Sequence, residues 1–156
     1  MYIALLPLII FIVAIVFLNT YVAKQNKQKR QVLVDAFGDK FVFYKKYIKA
    51  EVFTSGRKNT SLIFNACHIY TTDDALFIFG YKDLGVFTID IAPIIITNNS
   101  NHYYSASVVK PKKFNPHSFN QDVYIEFGES GWQTTNVEIR LKGLTNDEKQ
   151  YLSFLQ

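Results

Sequence analysis

Cys67 and His68 set a thiol beside an imidazole, the residue types a covalent nucleophile and its general base would use. Consecutive residues of an extended strand point to opposite faces, so these two side chains do not readily meet. His102 and His117 lie far from them, and none of the three histidines has metal-ligand spacing with the single cysteine. Asp73-Asp74 offers two carboxylates, but Thr72-Asp73-Asp74 is also turn chemistry and needs no catalytic explanation. A Gly-rich phosphate loop, His-Glu-x-x-His and Gly-x-Ser-x-Gly are all missing from the chain. The expectation is a protein that is not an enzyme and carries neither metal nor organic cofactor.

The remaining chemistry is charge and hydropathy. Residues 1–23 carry no charged side chain, and Lys24, Lys27, Lys29 and Arg30 follow at once. A helix of that length reaches roughly 34 Å at about 1.5 Å per residue, enough for a hydrocarbon core of about 30 Å. Tyr2, Leu5, Ile9, Phe11, Ile15 and Leu18 are its expected lipid contacts, and Tyr21 falls where amphipathic rings sit at headgroup level. A cleaved signal peptide fits less well: no Lys or Arg precedes the apolar run, the run is long, and no Ala-x-Ala site follows it. Flanking Lys and Arg tend to stay cytoplasmic, so the N-terminus is expected outside and the rest of the chain in the cytoplasm. The expected location is the cell membrane, crossed once.

Residues 24–58 hold ten Lys or Arg against Asp35, Asp39 and Glu51, a net +7, although the whole chain is only +4. Anionic lipid attracts juxtamembrane cations by about 1 kcal/mol each. The candidate lipid contacts are Lys24, Lys27, Lys29, Arg30, Lys45 and Lys46, joined by Lys110, Lys112 and Lys113 in a proline-flanked loop. Ordinary topology signalling explains the first group equally well. Nucleic acid is not expected, because the basic run is tethered to a bilayer and the remainder is acidic. Trp132, next to the Gly128–Gly131 turn, is a candidate partner contact or a core residue.

These groups divide the chain into an anchor (1–23), a basic juxtamembrane segment (24–47) and a β domain (48–156). Residues 31–58 are expected to hold a short helix stopped near Gly38 and then a strand around Ile48–Thr54. Further strands are expected at Cys67–Thr71, Ala75–Phe79, Val86–Ile91, Ile94–Ile96 and His102–Val109. The last two, Asp122–Phe127 and Asn136–Leu141, alternate apolar with polar residues. Thr145-Asn146-Asp147-Glu148 is a capping box opening a C-terminal helix of about eleven residues, with Tyr151, Leu152 and Leu155 as its apolar stripe.

Roughly seven antiparallel strands followed by one amphipathic helix resembles the pleckstrin-homology-like barrel, in which the helix plugs one end. The segment from His68 to Gly80 is similar to the strand, Thr-Asp turn, strand hairpin of bacterial PH-like and GRAM-like domains, and Thr88-Ile89-Asp90-Ile91 is similar to their apolar-Asp-apolar element. The resemblance implies a barrel over about residues 48–156 that binds lipid, peptide or protein. The acidic turn at Thr72-Asp73-Asp74 argues against phosphoinositide recognition there. The expected function is a membrane-held interaction or scaffold module with a protein partner; anionic-lipid binding and an enzyme with an unrecognised site are the alternatives.

Overall fold

The structure, a computed structural model, describes residues 5–55, 62–99, 107–129 and 135–156. The apolar anchor and the basic segment form one continuous helix, α1 (Leu5–Phe37), with no break at Lys24. Its N-terminal part is long and apolar enough to cross a membrane. Ile9, Phe11, Ile15 and Leu18 are all exposed, whereas Asn26 and Leu33 are buried. Thr20 lies near the end of the apolar stretch and donates its hydroxyl to the Val16 carbonyl at 3.0 Å, so this polar side chain is satisfied within the helix. Gly38 opens a single 3₁₀ turn that ends α1 and leads into the sheet.

Among the described residues nine strands follow: β1 (Phe43–Ser55), β2 (Ala66–Thr71), β3 (Ala75–Asp83), β4 (Thr88–Asp90), β5 (Ile94–Thr97), β6 (Ser107–Val109), β7 (Pro111–Asn115), β8 (Val123–Glu129) and β9 (Thr135–Leu141). They form a nearly closed, barrel-like sheet in the order β6-β5-β3-β2-β1-β9-β8-β7, with β4 beside the far end of β3. Only Lys110 separates the two edge strands β6 and β7, so a single stretch of chain passes from one edge of the sheet to the other. The long β1 is shared: its first half pairs with β2 and its second half with β9. The interior is filled by Ile48, Cys67, Ile69, Leu76, Ile78, Ile94 and Ile96, facing Val123, Ile125, Val137, Ile139 and Leu141. Val123, Ile125, Val137, Ile139 and Leu141 are the inward residues that alternation in the last two strands predicts.

The fold is thus mainly β and barrel-like, with several departures from expectation. The described residues hold nine strands, not about seven, and they are not all antiparallel: β5 and β6 run parallel. Lys110–His117 is not a loop. Pro111–Asn115 pairs with β8 as an edge strand, where a proline is tolerated because its missing N–H faces no neighbour. Its lysines also discourage edge-to-edge pairing. The strand after Gly85 is only Thr88–Asp90, and of the expected His102–Val109 strand residues 102–106 lie outside the described residues.

The C-terminal helix is one turn, α2 (Asn146–Gln150), followed by a 3₁₀ turn at Ser153–Leu155. Side chains three apart eclipse in 3₁₀ geometry, and this places Leu152 and Leu155 together in the interior. The capping box itself is present, with Glu148 N–H donating to the Thr145 hydroxyl and Thr145 N–H to the Glu148 carboxylate. Lys149, at the position where a hydrophobic staple would put an apolar residue, is instead buried and donates to the Gln121 carbonyl at 2.6 Å.

Candidate functional site

The second half of α1 docks on the outer face of the sheet and so positions the basic residues that it carries. Asn26, Arg30, Leu33 and Phe37 recur at helical spacing along one face. Leu33 packs with Ala75, Phe77, Phe79 and Ile95, and Val34, Phe37, Phe41 and Tyr70 close the cluster. The Phe37 and Phe77 rings lie 5.2 Å apart, Arg30 sits 5.4 Å over the Phe79 ring, and Asn26 Nδ2 donates to the Asp90 carbonyl at 3.1 Å. This second layer explains why Ala75–Tyr81 is apolar without alternation: a strand covered on both faces has no solvent side. That unbroken apolar run was the signal, readable from residue types, that something covers the sheet.

The juxtamembrane cations divide accordingly. Lys24 and Lys27 are exposed, while Lys29 and Arg30 are half-buried along the docked helix. Lys45 is taken up by the fold: its ammonium donates to Glu148 at 2.7 Å and to the Gly143 carbonyl at 2.9 Å. Burial raises the Glu148 pKa, but the Lys45 and Thr145 hydrogen bonds outweigh it and hold the carboxyl below its ordinary range. Lys46 is exposed and lies 5.8 Å over the Tyr44 ring. Lys110, Lys112 and Lys113 are exposed on or beside the edge strand β7, with Lys113 5.7 Å over Tyr124. The basic residues therefore sit on separate elements, α1, β1 and β7. Tyr2 and Trp132 lie outside the described residues.

Cys67, His68 and Asp74, weighed above for catalysis, lie at separate places in the fold. Cys67 faces the barrel interior, fully buried, and burial pushes its thiol up to about 12. His68 lies on the opposite face between Tyr47 and Tyr81, with ring centroids at 5.0 and 5.1 Å. Burial, then the charges of Arg30 and Lys46, lower its pKa to about 4. Its Nδ1 accepts the Tyr47 amide at 3.1 Å, so the neutral ring carries its proton on Nε2. Asp74 locks its turn, accepting from the Thr72 hydroxyl and from Asn99 Nδ2, each at 2.9 Å. His117 is exposed on a turn where its amide donates to Asn115. Among the described residues no group of three or more His, Cys, Asp or Glu is arranged to hold a metal ion.

One surface stands out that residue types alone did not mark. β1 bulges between Lys45 and Ile48, and Tyr47 sits there at φ 59°, in the left-handed region that β-strand residues avoid. The bulge holds the Tyr47 ring 78% exposed beside exposed Tyr44 and Lys46, with Tyr44 stacked on Tyr70 at 5.7 Å. A second, open depression of about 480 Å³ is lined by charged groups of both signs, including Lys49, Glu51, Asp83 and Lys142. Lys142 and Glu51 pair there as a salt bridge.

No family model, no curated protein and no solved structure matches this chain.

Proposed function

We propose that this protein is a single-pass, non-enzymatic membrane protein whose β domain is an interaction module held against the cytoplasmic face of the cell membrane to bind a protein partner. The observation that carries the reading is the continuity of α1: one helix exposes an apolar half suited to lipid and docks its other half on the sheet. A domain mounted in this way is held at a set angle to its anchor, unlike one on a flexible linker, and that suits assembly beside another membrane protein. Lys24, Lys27, Lys29 and Arg30 behind the span support the cytoplasmic orientation. The near-closed barrel, with Leu152 and Leu155 plugging its interior, supports a PH-like module; its parallel β5–β6 pair departs from that pattern.

The partner surface we favour is Tyr44, Lys46 and Tyr47. Tyrosines on a strained, exposed bulge supply contact area at low entropic cost, and strain of this kind gathers at binding sites. Benzoylphenylalanine placed at Tyr47 of the full chain should give a discrete crosslinked protein adduct in native membranes, and the same group at the exposed Phe119 should not. Absence of an adduct at Tyr47, together with salt-sensitive binding of residues 24–156 to anionic vesicles, would instead favour lipid recognition. That second reading rests on the exposed Lys24, Lys27, Lys110, Lys112 and Lys113.

A further inference from the structure

We propose that the β3–β4 turn, Leu84–Phe87, is a second membrane contact, seated in the interfacial layer of the bilayer that α1 crosses; this rests on the reading of α1 as a membrane span. Contacts set the direction. Phe37 meets Phe77, Arg30 meets Phe79, and Asn26 bonds to Asp90, the residue paired with Tyr81. β3 therefore runs back along α1 toward the apolar end of the helix, and the turn after it continues the same way. From Asp90 to Phe87 the strand advances three residues, roughly 10 Å. From Asn26 the helix covers the same distance in about seven residues, reaching the neighbourhood of Asn19 to Tyr21. The turn is thus level with the residues where α1 would leave the hydrocarbon.

The turn is built to present apolar side chains there. Val86 is 94% exposed, Phe87 58% and Leu84 54%. Three exposed apolar residues at one tip are costly in water and suited to the headgroup–acyl boundary. The backbone beneath them is braced. The Leu84 amide donates to the Phe87 carbonyl at 3.2 Å and the Gly85 amide to Asp83 Oδ1 at 2.9 Å. Asn65 bonds both the amide and the carbonyl of Asp83, at 2.7 and 2.9 Å. Gly85 sits at φ +82°, which only glycine adopts without strain. Exposed Lys24 follows this level on α1 within about one helical turn, and exposed Lys27 within about two, on the side away from the apolar stretch, where they suit phosphate headgroups.

The test uses the full chain with Cys67→Ala, reconstituted in phosphatidylcholine vesicles. Single cysteines at Val86, Phe87, Val16 or Phe119 carry an environment-sensitive fluorophore, and quenching by shallow nitroxide-labelled lipid is measured. The result expected is quenching at Val86 and Phe87 several-fold above that at Phe119, with Val16 also in lipid. Quenching at Val16 while Val86 and Phe87 match Phe119 would overturn the second contact and leave the span standing. No quenching at Val16 would overturn the span and the inference together. Far-UV circular dichroism of each labelled chain checks the fold, and agreement between two adjacent turn positions guards against a local artefact.

Discussion

The Tyr47 backbone amide and the Nδ1 of His68 lie 3.1 Å apart, and this bond joins the one strained residue of β1 to the sheet face under α1. It exists only while the imidazole is neutral. The folded protein holds His68 near pKa 4 against 6.5 for an unperturbed histidine, through burial and the charges of Arg30 and Lys46. Above pH 6.5 neither state is protonated, so this group gives stability no dependence on pH there. As pH falls from 6.5 to 4, the unfolded chain takes up the proton and the folded one does not, so stability declines across that window. His68→Asn should flatten that part of the profile. Urea midpoints at pH 7 and pH 5, for both proteins, measure the difference.

Docking of the basic half of α1 should depend on Leu33, which is 2% exposed between the helix and the sheet. Leu33→Ala should cost about 2–5 kcal/mol of that contact. In hydrogen exchange, amides of residues 24–37 should lose protection, while those of β8 and β9 keep theirs. Equal loss everywhere would mean that helix and barrel unfold as one unit.

Gly80 lies within β3, where a Cβ would come 2.7 Å from Phe64 Cγ and 2.8 Å from Ile91 Cδ1. The Phe64 ring and the Ile91 methyl both belong to the packed interior and have little room to yield. Gly80→Ala should destabilise the domain by about 1–3 kcal/mol, read as a lower denaturant midpoint. Gly38→Ala, at a site with open space, is the control and should stay near wild type.

Thr145→Ala removes the acceptor of the Glu148 amide and should cost about 0.5–2 kcal/mol. Because Glu148 also binds Lys45, a cycle combining Thr145→Ala with Lys45→Met should be non-additive. Additive losses would show that cap and ion pair act separately.

Cys67 should resist maleimide at neutral pH, since its thiol is buried and raised to about 12. Labelling should follow the rate of unfolding as denaturant is added. Rapid labelling in buffer would contradict the packing of β2.

Local chemistry determined a good deal of this. The uncharged stretch ahead of Lys24 predicts a span from composition alone. The strict alternation of Val123, Ile125 and Phe127 and of Val137, Ile139 and Leu141 assigns two strands and their inward faces. Thr145 and Glu148 mark the start of α2, because capping is a bond within four residues. Tertiary structure decided what depends on distant partners. Val32, Leu33, Ala36 and Phe37 read as a short helix stopped near Gly38, yet Phe77, Phe79 and Ile95 need a cover, and burying Leu33 and Phe37 against them draws α1 onto the sheet. Pro111–Asn115 has loop composition, and only the vacant edge of β8 makes it a strand. α2 gives way to a 3₁₀ turn at Ser153–Leu155, in which Leu152 and Leu155 still reach the core together. The exposed turn at Leu84–Phe87 is brought level with the apolar end of α1 solely by the antiparallel run of β3 along that helix, a relation between residues forty or more positions apart that no local pattern encodes.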